Sequence, residues 1–133
     1  MPAYHSRMKA EHTDELYVKI LQKLSSGRLY RDPSYTAKQL AADLNTNTRY
    51  ISTSVAVHTG NNYNALVNSL RLRDACRMLR SPRFASYTAE EIGLSVGFSS
   101  RQAFYTAFHR IYQMTPRAYR LQTEETENNS EEF

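Results

Sequence analysis

The chain has 133 residues, a formal net charge of +4 and a mean hydropathy of -0.64. Its sequence contains no apolar run of the roughly 18 residues that a transmembrane helix needs, and its first residues lack the apolar core of a secretory signal. A single cysteine excludes an internal disulfide framework and is typical of a protein in a reducing cytoplasm.

The charge is unevenly distributed along the chain. The last eleven residues hold five of the 13 acidic residues and neither Lys nor Arg, so residues 1–122 carry 17 basic and 8 acidic side chains. The resulting formal charge of +9 on residues 1–122 favours a polyanionic partner, and nucleic acid is the first candidate. Residues 123–133 are polar and acidic, and we expect them to form a disordered tail.

The first predicted elements are an arm and a helix. Residues 1–12 are expected to be a flexible arm, and a helix is predicted from Thr13, a plausible cap, until Ser25-Ser26-Gly27 ends it. Its apolar positions follow the spacing of one helical face. They are Tyr17, Ile20, Leu21 and Leu24.

Two further helices follow, separated by a short polar turn. Thr36 and Gln39 match a capping box, so a second helix is predicted to begin there. Asn45 can adopt the left-handed conformation that a tight turn requires. The third helix is predicted over residues 48–58, with Ile51 and Val55 facing inward.

A long helix is predicted next, within residues 61–81. Its inward positions are Leu66, Leu70, Leu72, Ala75, Cys76 and Leu79. Arg73, Arg77 and Arg80 recur on the other side at intervals of four and three residues. This basic stripe either contacts phosphates or is an ordinary solvated face.

The second half contains another short helix, a turn and an amphipathic helix. Thr88 and Glu91 match a capping box, and Gly97 follows the last apolar position, where a left-handed residue would end the helix. The amphipathic helix over residues 100–112 has an apolar stripe and a polar face that carries no carboxylate. The stripe comprises Phe104, Phe108 and Ile111, and the polar face comprises Gln102, Tyr105, Thr106 and His109. An ordinary surface helix has such faces too, but the preceding helix and turn make a helix-turn-helix pattern.

The two halves repeat one supersecondary unit. Tyr35-Thr36-Ala37 matches Tyr87-Thr88-Ala89 at an offset of 52, which also aligns Asn45 with Gly97. Beyond the turns the offset is 53, and the inward and outward positions of the two amphipathic helices still correspond. A repeat is stronger evidence than either copy alone.

Together these residues resemble the DNA-binding domain of the AraC/XylS family of transcriptional regulators. The resemblance covers residues 13–121 in outline and 35–121 closely. The positions resembling the family's signature segment are Ile92, Gly97-Phe98, Phe104, Phe108, Thr115-Pro116 and Tyr119-Arg120. Those resembling its linker helix are Leu70-Arg71-Leu72, Ala75 and Leu79.

The resemblance implies an all-α fold of about seven helices, with two helix-turn-helix subdomains (13–60 and 82–122) joined by the linker helix 61–81. It also implies recognition helices 48–58 and 100–112 in successive major grooves, roughly 34 Å apart. The expected protein is a bacterial transcriptional regulator of the cytoplasm and nucleoid that uses no cofactor. It would bind an asymmetric site on double-stranded DNA as a monomer and activate transcription by contacting RNA polymerase. Many members carry an effector domain, so the chain resembles a stand-alone member or an excised domain.

Two sets of residues are candidates for DNA contact. Arginine suits guanine and glutamine suits adenine through paired hydrogen bonds, and helix N-termini suit phosphates. The candidates for base reading are Arg49, Ser52, Thr53, Arg101, Gln102, Tyr105 and Thr106. The candidates for phosphate contact are Asn47, Thr48, Ser99, Ser100, His109, Arg110, Thr115 and Arg117, with solvent exposure alone an equal reading for His109.

Departures from the family pattern keep an alternative open. Val55 stands where the first recognition helix usually has an aromatic residue, and Gln113 stands where the family usually has Gly. The outer face of residues 48–58 has Arg49 as its only charge, which weakens base reading there. The alternative is an interaction module of the same fold with weak or non-specific DNA binding, in which the acidic tail competes with DNA for the basic face.

An enzymatic function is not indicated. The four histidines lack metal-ligand spacing with Cys76 or with each other, and no glycine-rich phosphate loop is present. Some alkyl-transfer repair proteins carry a related DNA-binding module. Cys76 lies on the apolar stripe of the linker helix, however, which favours a buried structural thiol over a nucleophile.

Overall fold

The computed structural model describes residues 9–131, with side chains described over residues 12–126. Over that part of the chain, seven α-helices are joined by turns and by two short 3-10 helices, Ser26–Arg31 and Pro82–Phe84. The all-α fold predicted from the sequence is confirmed. The α-helices are α1 (Lys9–Ser25), α2 (Ala37–Asp43), α3 (Thr48–Thr59), α4 (Tyr63–Arg80), α5 (Ala89–Ser95), α6 (Arg101–Tyr112) and α7 (Pro116–Glu131).

The chain divides into two compact units, Met1–Val67 and Asn68–Phe133. The division falls inside α4, so this helix contributes residues to both units. Among the described residues, no helix is long and apolar enough to cross a membrane.

Side-chain caps begin the helices where the sequence predicts them. The Thr36 hydroxyl accepts a hydrogen bond from the Gln39 amide at 3.2 Å, and the Thr88 hydroxyl accepts one from the Glu91 amide at 3.0 Å. Each cap satisfies a backbone donor that the helix itself leaves unpaired and contributes about 1 kcal/mol. Both predicted capping positions are therefore confirmed.

Four helices end in left-handed residues, one of which is Gly60 (φ 72°) after α3. Asn45 (φ 55°) follows α2, and Gly97 (φ 117°) follows α5, as the sequence predicts. Gln113 (φ 61°) follows α6, where its amide donates to the His109 carbonyl at 2.9 Å. Gln113 thus adopts the conformation that glycine usually supplies at a helix end, although its side chain makes this conformation less favourable.

The two turns share one hydrogen-bond pattern. In the first, the Thr46 amide donates to the Ala41 carbonyl at 2.9 Å. In the second, the Phe98 amide donates to the Gly93 carbonyl at 3.2 Å. Each bond joins residues five positions apart, which is the pattern of the Schellman motif. The donors of the two turns, and likewise the acceptors, are 52 residues apart in the sequence. The repeat seen in the sequence is thus present in the backbone geometry of both turns.

The first unit is built around the contact of α1 with α3. Helix α1 buries Leu16, Ile20 and Leu24, and α3 buries Ile51 and Val55 as predicted. From the predicted α1 stripe only Ile20 and Leu24 are buried, since Tyr17 and Leu21 are partly exposed. Leu16 takes the place expected for Tyr17.

The start of α1 also differs from the prediction. The helix begins at Lys9, so Lys9–His12 are helical where an arm was expected, and residues 1–8 of that arm lie outside the described residues. Thr13 is not a cap. It is buried in the interior of α1, and its carbonyl accepts the Ser54 hydroxyl at 2.8 Å. Lys, Ala and Glu propagate a helix well, so α1 extends upstream of the expected capping residue.

The second unit has an aromatic core. Phe104 and Phe108 are fully buried on α6, with ring centroids 5.8 Å apart. The prediction that Ile111 continues this stripe is wrong, because its side chain is 59% exposed. Tyr112 packs on the core instead, with its ring centroid 4.7 Å from that of Phe108. Four residues beyond Phe108, position 112 turns towards the core and position 111 turns away.

Helix α7 extends into the segment expected to be disordered. It continues to Glu131, and Thr123 donates a hydrogen bond to the Tyr119 carbonyl at 3.0 Å. The helix is already nucleated by Thr115, whose hydroxyl accepts from the Ala118 amide, and by Pro116 in its first turn. Glutamates then extend it at little cost, since Glu is a good helix former.

Candidate nucleic-acid interface

Helix α6 presents a polar face that is fixed from behind. Phe104 and Phe108 anchor it in the core, while Arg101, Gln102 and Thr106 are exposed. Three of the four base-reading candidates of this helix are therefore accessible on one amphipathic element. The fourth, Tyr105, is half-buried.

Tyr105 belongs to a small polar network that the sequence did not reveal. Its hydroxyl donates a hydrogen bond to Oε1 of Glu90 on α5. The same oxygen accepts from Nη2 of Arg117 on α7 at 2.8 Å. The carboxylate thereby ties the first turn of α7 and the middle of α6 to α5. Two predicted DNA-contacting residues, Tyr105 and Arg117, thus share one partner.

The first turns of α3 and α6 are each capped by the side chain of the residue before the helix. The Ser100 hydroxyl accepts from the Ala103 amide at 3.0 Å, and the Asn47 side chain accepts from the Tyr50 amide at 2.9 Å. Together with Thr115, these predicted phosphate contacts use a side-chain oxygen as the acceptor of a cap. Their hydroxyl or amide protons remain available to a phosphate, as do the unpaired backbone amides of the first turns. The remaining phosphate candidates are exposed side chains. They are Thr48, Ser99, His109 and Arg110.

Helix α3 is the corresponding element of the first unit. Arg49 and Ser52 are exposed and Thr53 is half-buried. The outer face is polar but carries less hydrogen-bonding capacity than that of α6, because it has single hydroxyl groups where α6 adds a glutamine amide. All three base-reading candidates of α3 are at least partly exposed, whereas Ile51 and Val55 are buried.

His58 fastens α3 to α1. Its Nδ1 lies 2.8 Å from the Ser54 carbonyl oxygen, its Nε2 lies 2.6 Å from an Asp14 carboxylate oxygen, and its ring stacks on Tyr17 with centroids 4.5 Å apart. Both nitrogens face acceptors, so the protonated imidazole donates to both. The Ser54 hydrogen bond, and then the Asp14 carboxylate, raise the pKa of His58 above 6.5 despite partial burial.

Raising the pH through neutrality is therefore expected to loosen α1 in the first unit. A raised folded-state pKa contributes stability that is complete below the unfolded value of about 6.5 and is lost as the pH rises through the folded value. Because the Asp14 side chain is 70% exposed, we expect a loss of at most about 1 kcal/mol.

The measurement for His58 is hydrogen exchange of the α1 amides between about pH 6 and about pH 8.5, after correction for the intrinsic pH dependence of exchange. His58→Gln should remove the excess pH dependence, whereas His109→Gln, which removes an exposed histidine of α6, should keep it. Equal pH dependence in the wild type and in His58→Gln would contradict the assignment.

The basic stripe of α4 is largely occupied within the second unit. Nη2 of Arg77 lies 2.9 Å from Oδ1 of buried Asp74, and Nε of Arg80 donates to the Cys76 carbonyl at 3.2 Å. These contacts favour the solvated-face reading over phosphate contact for Arg77 and Arg80. Cys76 itself is only 5% exposed, in keeping with a buried structural thiol.

Arg120 has a structural role that the sequence does not predict. Its guanidinium donates to three backbone carbonyls, those of Leu79 at 3.3 Å, Phe84 at 3.2 Å and Tyr87 at 2.7 Å. Leu79 lies in the last turn of α4, where carbonyls lack helical partners. Arg120 thus closes the segment between α4 and α5 against α7.

Each unit contains two helices joined by a tight turn, with the second helix exposing a polar face. This arrangement defines the helix-turn-helix class of DNA-binding proteins. Comparison with protein families matches residues 40–122 to the family described as "Helix-turn-helix domain". Sequence comparison with curated proteins gave no match.

Several solved structures share the fold. The C-terminal domain of the two-component response regulator yesN from Fusobacterium nucleatum is 27% identical, with a TM-score of 0.64 over 82% of this chain and 98% of that chain. An AraC-type transcriptional regulator from Chromobacterium violaceum is 20% identical, with a TM-score of 0.68 over 80% and 89%. The C-terminal domain of the response regulator AraT from Geobacillus stearothermophilus is 23% identical, with a TM-score of 0.66 over 77% and 84%.

The matched family segment covers more than half of the chain, and the structural neighbours include AraC-type DNA-binding domains. The chain therefore belongs to the AraC-type helix-turn-helix family of DNA-binding transcriptional regulators. The resemblance found in the sequence is confirmed at the level of family and fold.

Proposed function

We propose that the chain is a sequence-specific reader of double-stranded DNA in which α6 and α3 are the recognition helices. The observation that carries the proposal is the outer face of α6. Exposed Gln102 and Thr106 lie opposite two fully buried phenylalanines that lock the helix, and exposed Arg101 is its first residue. A helix held in this way fits the major groove and presents its donors and acceptors at fixed positions.

Helix α3 is proposed to read the second block of a bipartite site. Arg49 is its strongest reader because a guanidinium can pair with both acceptors of guanine, whereas Ser52 and Thr53 make single, less selective hydrogen bonds. The site is asymmetric on this proposal, because the two helices expose different residues. A monomer is then sufficient for binding.

The regulatory role is proposed from the family. We propose an activator that contacts RNA polymerase while bound beside a promoter, in the cytoplasm and nucleoid of a bacterium. In vitro transcription from a promoter carrying the selected site is the measurement. A rise in transcript with added protein is expected, and a fall would indicate repression instead.

Selection of binding sites from a random duplex library at physiological salt tests the DNA-reading proposal. Two enriched blocks about one helical turn apart are expected. One enriched block would restrict specific reading to one unit. No enrichment, with binding that disappears as salt rises, would contradict the proposal and favour the interaction module with non-specific DNA binding.

Gln102→Ala is expected to weaken binding to the selected site by about 1–3 kcal/mol and to leave binding to random DNA nearly unchanged. The reason is that an amide pairing with adenine contributes only where the correct base is present. Titrations of both duplexes measure the difference. Gln122→Ala, an exposed glutamine of α7, is the matched control, and equal losses on both duplexes would show that Gln102 does not read bases.

A further inference from the structure

One carboxylate oxygen accepts two hydrogen bonds beside the polar face of α6. Oε1 of Glu90 accepts from the Tyr105 hydroxyl and from Nη2 of Arg117, the latter at 2.8 Å. The Glu90 side chain is 13% exposed, whereas that of Arg117 is 71% exposed. The phenol of Tyr105, a residue of the polar face of α6, is therefore held by a nearly buried acceptor on α5.

The direction of the Tyr105 hydrogen bond is fixed by the protonation of its partner. The hydrogen bond from Tyr105, followed by a backbone hydrogen bond and the Arg117 charge, lowers the pKa of Glu90, so its side chain is a carboxylate at neutral pH. A carboxylate only accepts hydrogen bonds. The same contact raises the pKa of Tyr105, which keeps the phenol protonated and donating.

The phenol oxygen carries one proton, and the hydrogen bond to Glu90 uses it. Only the lone pairs of the oxygen remain for a second partner. Phosphate oxygens cannot donate to them, and neither can guanine O6 and N7 or thymine O4. In the major groove the donors are the N6 amino group of adenine and the N4 amino group of cytosine.

We propose that Tyr105 selects adenine or cytosine over guanine or thymine at one position of the block read by α6, with Glu90 as the positioning residue. Glu90 sets the direction of the hydrogen bond and does not touch the base. The proposal rests on the proposed function, because it requires α6 to lie in the major groove.

Library selection with variants at the two positions is the first test. The wild type is expected to enrich adenine or cytosine at one position by about fivefold, the value of a single hydrogen bond of about 1 kcal/mol. Tyr105→Phe should abolish that preference and keep the rest of the block. Glu90→Ala should spread it to guanine and thymine, because the freed hydroxyl can then donate as well as accept.

Two matched variants separate this role from general effects of charge. Glu90→Gln should keep the preference, since its amide oxygen can accept from the same two donors. Glu91→Ala removes the same charge from the next residue of α5, an exposed one, and should strengthen binding to all DNA without changing base preference. A change of preference in Glu91→Ala equal to that in Glu90→Ala would overturn the role of Glu90.

A base analogue supplies the decisive measurement. If adenine is selected, it is replaced by 2-aminopurine, which lacks the N6 amino group; if cytosine is selected, it is replaced by 2-pyrimidinone, which lacks the N4 amino group. The wild type should lose about fivefold in affinity and Tyr105→Phe should lose nothing further. Enriched blocks whose preferences do not change in Tyr105→Phe would overturn this inference alone, whereas a library without any enriched block would overturn the proposed function with it.

Discussion

Arg120→Ala is expected to lower the free energy of unfolding of the second unit by about 3 kcal/mol, the largest effect expected of a single polar side chain here. Hydrogen bonds to charged groups contribute about 1.5–3 kcal/mol, and this guanidinium makes three. Truncation also leaves the part-buried carbonyls of Leu79 and Phe84 without this donor. Urea unfolding followed by circular dichroism measures the change.

Two variants control for the loss of charge in Arg120→Ala. Arg117→Ala removes an arginine of the same helix whose side chain is 71% exposed, and a loss below about 1 kcal/mol is expected. Arg120→Lys keeps the charge but lacks the planar fork that reaches three carbonyls, so most of the loss should remain. Full stability of Arg120→Lys would show that charge alone is required at this position.

Gly93→Ala is expected to destabilise the second unit by up to about 2 kcal/mol, because overpacking a core costs up to about 3 kcal/mol and alanine regains about 1 kcal/mol of helix propensity. A Cβ at Gly93 would lie 2.2 Å from Cδ2 and 2.4 Å from Cγ of the Phe104 ring. Cγ is held by the backbone of α6, and the ring is fully buried, so rotation of the ring tip cannot relieve the contact. The gain in helix propensity from glycine to alanine, about 1 kcal/mol, offsets only part of the clash.

A double variant distinguishes the clash from any other cause. In the first unit the positions equivalent to Gly93 and Phe104 hold Ala41 and Ile51, which are 3% and 0% exposed. Gly93→Ala combined with Phe104→Ile recreates that pair, and its cost should be clearly less than the sum of the two single costs. Additive costs, measured by urea unfolding, would mean that Gly93 and Phe104 do not compete for the same space.

The elements that periodicity and capping specify were predictable from the sequence. Thr36 and Thr88 cap the predicted helices, and Phe104 and Phe108 lie inward because they are four residues apart on one helical face. The stripe was misjudged only at its end, where Ile111 and Tyr112 were about equally placed by spacing. Tyr112 is the inward residue because it packs on Phe108, and the spacing of apolar residues alone does not predict such a contact.

Contacts between elements were not predictable in the same way. Glu90 precedes Tyr105 by 15 residues, and the two meet only because the turn at Gly97 folds α6 onto α5. His58 and Asp14 are 44 residues apart, and Arg120 reaches carbonyls 33 to 41 residues away. Backbone acceptors have no sequence signature, so the sequence does not predict the role of Arg120. The extension of α7 to Glu131 was missed because composition alone does not show that a capped helix continues into an acidic segment.

The pairs Ala41 with Ile51 and Gly93 with Phe104 also bear on how two copies of one unit can diverge. Both members of each pair are buried. The first pair combines alanine with isoleucine, whereas the second combines the smaller glycine with the larger phenylalanine. A history of single substitutions leading from one pair to the other passes through an intermediate that is either overcrowded or has a cavity, and both are selected against in a marginally stable protein. Once established, the two solutions are therefore expected to persist in their own halves. Segments exchanged between the halves would have to carry both members of a pair to be tolerated.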